Sequence, residues 1–210
     1  MATPGSASQL PIVFDKEASM MVVYQVMFSQ LAKNHELVQL LKNGGVAVLR
    51  TDTLYGIVAG ADNEAAVERV YRIKGRDRNK SCIILLDSMR SAYDRGEELA
   101  ADEHRYHSDV PTSFLINGEG APAWLLREND ALAYRIPNDN ELCQFLAQTG
   151  PLIAPSANPQ GQPPARTIDE ARAYFGDAVD LYIDSGEVPA DTPPSRLLRI
   201  HDDGQVERLR

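Results

Sequence analysis

Three short apolar runs constrain this chain more than any other feature: VAVL (46–49), CIILL (82–86) and PLIAP (151–155). A strand with one face in water alternates apolar and polar residues. An unbroken apolar run of four or five residues describes a strand covered on both faces. Helical segments lie between and around these runs. Residues 22–43 carry a helical pattern that stops at Gly44-Gly45. A helix over 63–74 has Asn63 as N-cap, Glu64 in its first turn and Gly75 past its end. Residues 87–108 are polar and read as helix, and Asn140 is placed to cap a helix ending near Gly150. Thr167-Ile-Asp-Glu170 forms a capping box for a helix over 168–175, closed by Gly176. TSFLI (112–116) and ALAYRI (131–136) read as strands flanking a short helix around Trp124. LYI (181–183), RLLRI (196–200) and VERLR (206–210) follow, the last two joined by the hairpin signal Asp203-Gly204. The expected fold is therefore α/β: one domain over residues 21–210, a twisted mixed sheet with helices packed on it and a C-terminal hairpin. Residues 1–20 read as a disordered leader or an expression remnant, lacking the basic start and apolar stretch of a signal peptide.

Charge is unevenly distributed. The 210 residues carry a formal net charge of −9, which argues against broad binding to nucleic acid or anionic membrane. Yet six of the twelve residues from Arg69 to Lys80 are basic: Arg69, Arg72, Lys74, Arg76, Arg78 and Lys80. On helix 63–74, Val67, Val70, Tyr71 and Lys74 share one face, so Lys74 continues the core-facing stripe and must snorkel or meet an anion. After Gly75, residues Arg76, Arg78 and Lys80 alternate, and an extended segment would point them to one wall. Such a wall suits a polyphosphate held by point charges and a guanidinium fork. No GxxxxGK[ST], complete dinucleotide fingerprint or GxSxG is present. Two polar stretches follow apolar strands, where α/β sheets usually bind ligands: RTDTLYG (50–56), with Thr51, Asp52 and Thr53, and APSANPQGQPP (154–164), with Ser156 and Asn158. Cys82 and Cys143 each sit among apolar residues and read as buried free thiols of a reducing compartment. No apolar run approaches the roughly 20 residues of a membrane span, so a cytoplasmic protein is expected.

TDTLYG, then KGR about twenty residues later, then YRIP before a helix, then PLIAPSANPQG and a closing strand ending in LR together resemble the YrdC/Sua5 family of threonylcarbamoyl-AMP synthases, in its short YrdC-like form. The resemblance covers about residues 38–210. It implies an enzyme, a nucleotidyltransferase making L-threonylcarbamoyladenylate and pyrophosphate from L-threonine, bicarbonate and ATP. That product feeds the t6A modification of tRNA through a downstream transferase complex. By the same resemblance Lys74, Arg76, Ser156 and Asn158 surround the nucleotide phosphates, with Lys74 and Arg76 catalytic. Lys80 and Arg210 are further ATP contacts, and Thr53, Arg135 and Ser195 line the threonine pocket. Mg2+ is expected to arrive with ATP, with no dedicated protein ligands. Arg50, Lys80-Ser81, HSDVPTSF and Pro194-Ser195-Arg196 depart from the family pattern. The alternatives are a divergent YciO-like paralogue and a double-stranded-RNA-binding module with weak tRNA or RNA contact. The YciO branch lacks the full tetrad present here.

Overall fold

The structure is a computed structural model that describes residues 23–25, 28–93 and 95–210; the leader read at residues 1–20 lies outside the described residues. The run VAVL forms the middle of β2 (Val46–Arg50), and its continuous apolarity has a direct cause. Val46 and Val48 enter one buried cluster, with Val67, Val70 and Tyr71 of α2 (Glu64–Lys74) and Ala171 and Phe175 of α6 (Ile168–Phe175). Ala47 and Leu49 enter a second, with Leu37 and Leu41 of α1 (His35–Lys42) and Leu142, Phe145 and Leu146 of α5 (Asn140–Thr149). The alternation of side chains along the strand thus feeds two helical layers. Each fully buried Val, Leu or Phe on these layers contributes about 1.5–3 kcal/mol of transfer free energy.

The ten described strands form one mixed sheet. Besides β2 they are β1 (Val23–Gln25), β3 (Tyr55–Gly60), β4 (Ile83–Leu85), β5 (Thr112–Asn117), β6 (Ala131–Arg135), β7 (Leu152–Ile153), β8 (Leu181–Asp184), β9 (Arg196–Ile200) and β10 (Val206–Arg208). Their order is β1-β8-β2-β3-β7-β4-β6-β5-β9-β10. The pairs β1·β8, β2·β8, β4·β6 and β5·β9 are parallel, and the rest antiparallel. The expected mixed sheet and C-terminal hairpin are both present. Among the described residues no helix is long and apolar enough to cross a membrane.

Several sequence expectations need correction. Residues 22–43 are not one helix. They hold β1, a 3-10 turn over Phe28–Lys33 and α1, which restarts because the Asn34 side chain accepts from Leu37 N at 3.0 Å. Residues 87–108 split into α3 (Gly96–Ala101) and two 3-10 turns, Met89–Ser91 and Glu103–Tyr106. The helix around Trp124 is the single turn α4 (Ala123–Leu126). Helix α5 is capped by Asp139 and not by Asn140, its carboxylate accepting from Leu142 N at 2.8 Å. Thr167 caps α6 as expected, but Glu170 reaches back to Arg166 N at 2.7 Å. Strand β3 was hidden behind the polar TDTL turn, and its register, Val46 to Ala59 through Arg50 to Tyr55, makes TDTL a hairpin tip. Both cysteines are free; Cys82 is buried but Cys143 only half-buried, at the helix surface.

Candidate functional site

The basic segment takes its geometry from the end of α2. Gly75 ends the helix at φ +59, a left-handed conformation that glycine adopts without a Cβ penalty. The chain then turns: Lys80 N donates to Asp77 O at 3.2 Å, and Asn79 N to the Asp77 carboxylate at 3.0 Å. This turn replaces the expected extended stretch and breaks the alternation. Arg78 swings away and pairs with Glu68, whereas Arg76 and Lys80 remain on one wall. Arg76 is pre-set by donation from Nε to Lys80 O at 3.1 Å and from Nη2 to Ser81 O at 2.9 Å. Arg69, at the start of the basic run, is spent on Asp180 and on Ala178 O at 2.7 Å.

Lys74 is 4% exposed, as its place on the core stripe requires. Its ammonium donates to two backbone carbonyls, Ser156 O and Asn158 O. Burial, and then repulsion by Arg76, pull its pKa down to about 8. The lysine therefore ties the end of α2 to the APSAN loop. Gln160 N adds a bond to Lys74 O at 2.9 Å, and Gln160 Oε1 accepts from Asp77 N at 2.6 Å. On its other side the loop runs beside β3. Ile57 N donates to Pro155 O at 3.0 Å and Ala157 N to Tyr55 O at 2.8 Å. A Cβ at Gly56 would lie in ordinary contact, 3.4 Å from Thr51 Cγ2 and 3.5 Å from Pro155 O, so the loop packs closely on β3 here. Within the loop Ser156 Oγ donates to Asn158 Oδ1 at 2.5 Å, and Asn158 Nδ2 donates to Gln162 O at 2.6 Å.

Together these pieces line an open-mouthed cavity of about 920 Å3, a size that suits a small-molecule or cofactor site. Thr53, Arg76, Lys80, Arg135, Ser156, Ser195 and Arg210 line it. Of the expected site residues, Lys74 and Asn158 do not; they sit directly behind the Ser156 wall. Three lining charges escaped sequence reasoning: Arg166, Arg199 and Asp130. Arg166 donates to Val188 O at 3.0 Å and pairs with Glu187, while Arg199 holds Asp130 at 2.7 Å. These arginines lie far apart in sequence with no motif around them, so only the fold reveals the grouping. Six cationic side chains and one carboxylate thus line the cavity of a chain whose net charge is −9.

A second group of lining residues is built around Arg135. Strand β6 delivers it to the cavity 4% exposed. Its Nη2 lies 3.1 Å from Asp52 Oδ1 and 3.5 Å from Thr51 Oγ1, and its Nε is buried with no hydrogen-bond partner. Burial pulls the guanidinium pKa down, opposed by Asp52, and burial pushes the Asp52 carboxyl up, opposed by Arg135. Thr53 Oγ1 and Thr51 Oγ1 are 3.1 Å apart. The Ser195 hydroxyl is 2.9 Å from that of Ser113, and the Ser195 carbonyl accepts from Arg210 Nε and Nη2 at 3.1 and 3.0 Å. Segment 185–195 is anchored by Tyr55, whose hydroxyl donates to Gly186 O at 2.8 Å, and by Arg50, which donates to Ser185 O at 3.3 Å. Arg50, a departure from the family pattern, therefore has a structural use.

Fold and site define a class: an α/β protein with an open-mouthed basic cavity, lined by a glycine-turned cationic loop and by a buried arginine. The Sua5/YciO/YrdC family model, described as telomere recombination, matches residues 39–210. A threonylcarbamoyl-AMP synthase from Pseudomonas fluorescens (strain Pf0-1) is 30% identical over 172 residues, covering 80% of this chain and 92% of that one. The chain belongs to the Sua5/YciO/YrdC family. Its fold is similar to that of P. abyssi Sua5, solved in complex with L-threonine, with a TM-score of 0.72 and 23% identity over 89% of this chain. This chain spans 55% of that protein's length. It is also similar to E. coli YciO, with a TM-score of 0.65 and 19% identity over 87% of this chain and 89% of that one.

Proposed function

We propose that this chain is a threonylcarbamoyl-AMP synthase, joining L-threonine, bicarbonate and ATP into threonylcarbamoyl-AMP and pyrophosphate. The observation that carries the reading is the pairing of two unlike features in one cavity. Arg76 and Lys80 line it with the Ser156 hydroxyl, and Arg135 lines it too, buried and with an unpartnered Nε.

Threonine's amine adds to bicarbonate with loss of water, or to CO2 with loss of a proton, to give a carbamate. A carbamate oxygen then forms a bond to the α-phosphorus of ATP, the bond from that phosphorus to the bridging oxygen breaks, and pyrophosphate departs with its electrons. Charge grows on the leaving group, so preorganised cations beside it lower the barrier. Arg76 and Lys80 supply them, and Arg210 and Arg199 add positive potential along the cavity. Lys74 acts one layer back, holding the Ser156 and Asn158 carbonyls and so the loop that offers the Ser156 hydroxyl. Arg135 grips the threonine carboxylate, with Asp52 fixing its plane; Thr53 and Ser195 border that pocket. No covalent intermediate on the protein is required.

The walls fit Mg2+ only as a companion of ATP. They present cations and hydroxyls, Asp130 is held by Arg199, and among the described residues no group of three metal-ligating side chains occurs. Magnesium bound by the nucleotide's own phosphate oxygens would neutralise part of their charge.

An RNA-binding module receives less support. Of the basic run, Arg69 and Arg78 are paired with acids, Lys74 is buried, Arg76 and Lys80 face the cavity, and Arg72 is exposed. That leaves no outward stripe for a phosphate backbone. The product would pass to a t6A transferase complex in the cytoplasm. The test is pyrophosphate release from ATP, which should require both threonine and bicarbonate; release independent of either would contradict the reading.

A further inference from the structure

The loop that carries Arg76 and Lys80 is gripped from behind by residues outside the cavity. Tyr71, 3% exposed on α2, donates its hydroxyl to Lys80 O at 2.7 Å, the same carbonyl that Arg76 Nε reaches at 3.1 Å. One carbonyl thus locks the backbone of one cation to the side chain of the other. The Arg127 guanidinium lies 3.9 Å from the centroid of the Tyr71 ring. Its Nε and Nη2 are buried without a hydrogen-bond partner, and the electron-rich ring face is what remains to them. Arg127 Nη1 pairs with Glu68, whose other carboxylate oxygen holds Arg78 from the same loop. Two residues on, Asn129, which itself lines the cavity, donates from Nδ2 to Asn79 O at 2.8 Å. Arg127 itself has φ +62, the only non-glycine positive φ among the described residues. A strained backbone of this kind persists only where the surroundings over-determine it.

We infer that Tyr71 and Arg127 are positioning residues for the phosphate-facing cations: Arg127 fixes the Tyr71 ring, and the Tyr71 hydroxyl fixes Lys80 and Arg76. This rests on the proposed synthase reading, because it assigns the loop to ATP. Neither residue lines the cavity, so their effect reaches the substrate only through the loop.

The test compares Tyr71→Phe and Arg127→Met with the unmodified protein. Tyr71→Phe keeps the ring under Arg127 and removes only the hydroxyl. Measured quantities are the ATP and threonine KM values, kcat, and ATP affinity by calorimetry without threonine. Tyr71→Phe should weaken ATP binding roughly two- to tenfold, the effect of one lost hydrogen bond, with the threonine KM unchanged. Arg127→Met should weaken ATP at least as much, with folded protein retained by circular dichroism. Lower melting temperatures with unchanged ATP constants would overturn the inference, since that is the signature of packing alone. Equal rises in both KM values would overturn it too. Should Arg127→Met not fold, the Tyr71→Phe result decides. If the unmodified protein binds ATP but makes no adenylate, the synthase reading fails while the calorimetric comparison still tests the loop.

Discussion

Arg135 and Lys74 show how one residue's environment sets its use. Arg135 keeps a planar fork in a buried place, with Asp52 on one side and an unpartnered Nε. Lysine at this position would keep the charge and lose the fork. Arg135→Lys should raise the threonine KM roughly ten- to a hundredfold, matching a charged hydrogen bond of about 1.5–3 kcal/mol, with the ATP KM little changed; steady-state kinetics with each substrate varied in turn checks this. Lys74 makes a pH prediction. Its pKa falls from the ordinary 10.5 to about 8 because burial disfavours the ammonium. Between about pH 8 and 10.5 the unfolded chain still binds the proton that the folded chain has released. Stability attributable to Lys74 therefore rises with pH across that window and is flat below it. Chemical denaturation of the unmodified protein and Lys74→Met, from pH 7 to 10.5, should show the difference between them growing in that direction. A flat difference would mean that the two carbonyls hold the proton. The position of Lys74 was legible in the sequence from its phase on helix 63–74. Its partners were not, because Ser156 and Asn158 receive it through backbone carbonyls, which every residue has.

At the scale of elements, the basic site depends on where α2 stops. Gly75 sits at φ +59 with no atom within 4 Å of an added Cβ, so Gly75→Ala meets only the conformational cost, about 1–2 kcal/mol. Thermal or denaturant unfolding should register that loss. Fully retained stability would mean that the turn has another route. The strands VAVL, CIILL and PLIAP were legible because both of their faces are covered, leaving a continuous apolar signal. Strand β3 was not, because TDTLYG reads as a turn and its first paired residue, Tyr55, belongs to that motif. Helix patterns also ran too long. The apolar spacing over 22–43 continues through β1 and a 3-10 turn, and the break is made by one side-chain oxygen on Asn34. The alternation of Arg76, Arg78 and Lys80 misled for a similar reason, since Asp77 closes a turn that spacing alone cannot reveal.

For the whole molecule, the central contrast is an acidic chain around a basic cavity. The whole chain carries a net charge of −9, yet Arg76, Lys80, Arg135, Arg166, Arg199 and Arg210 converge on one space. Motif order brought four of the six into view, and the remaining two, Arg166 and Arg199, needed the sheet. Strand β9 lies beside β5, at the far side of β6 from β4, and brings Arg199 and Ser195 round to the segment that ends in Arg210. A cavity lined by the Arg76–Lys80 loop and by a buried guanidinium should join a triphosphate to an amino acid through the α-phosphorus. Mass spectrometry of the products formed from ATP, bicarbonate and an equimolar mixture of the twenty amino acids tests that most directly. The account predicts a carbamoyl-adenylate carrying threonine, and its loss when bicarbonate is removed. An adenylate carrying a different amino acid, or none with ATP intact, would contradict it.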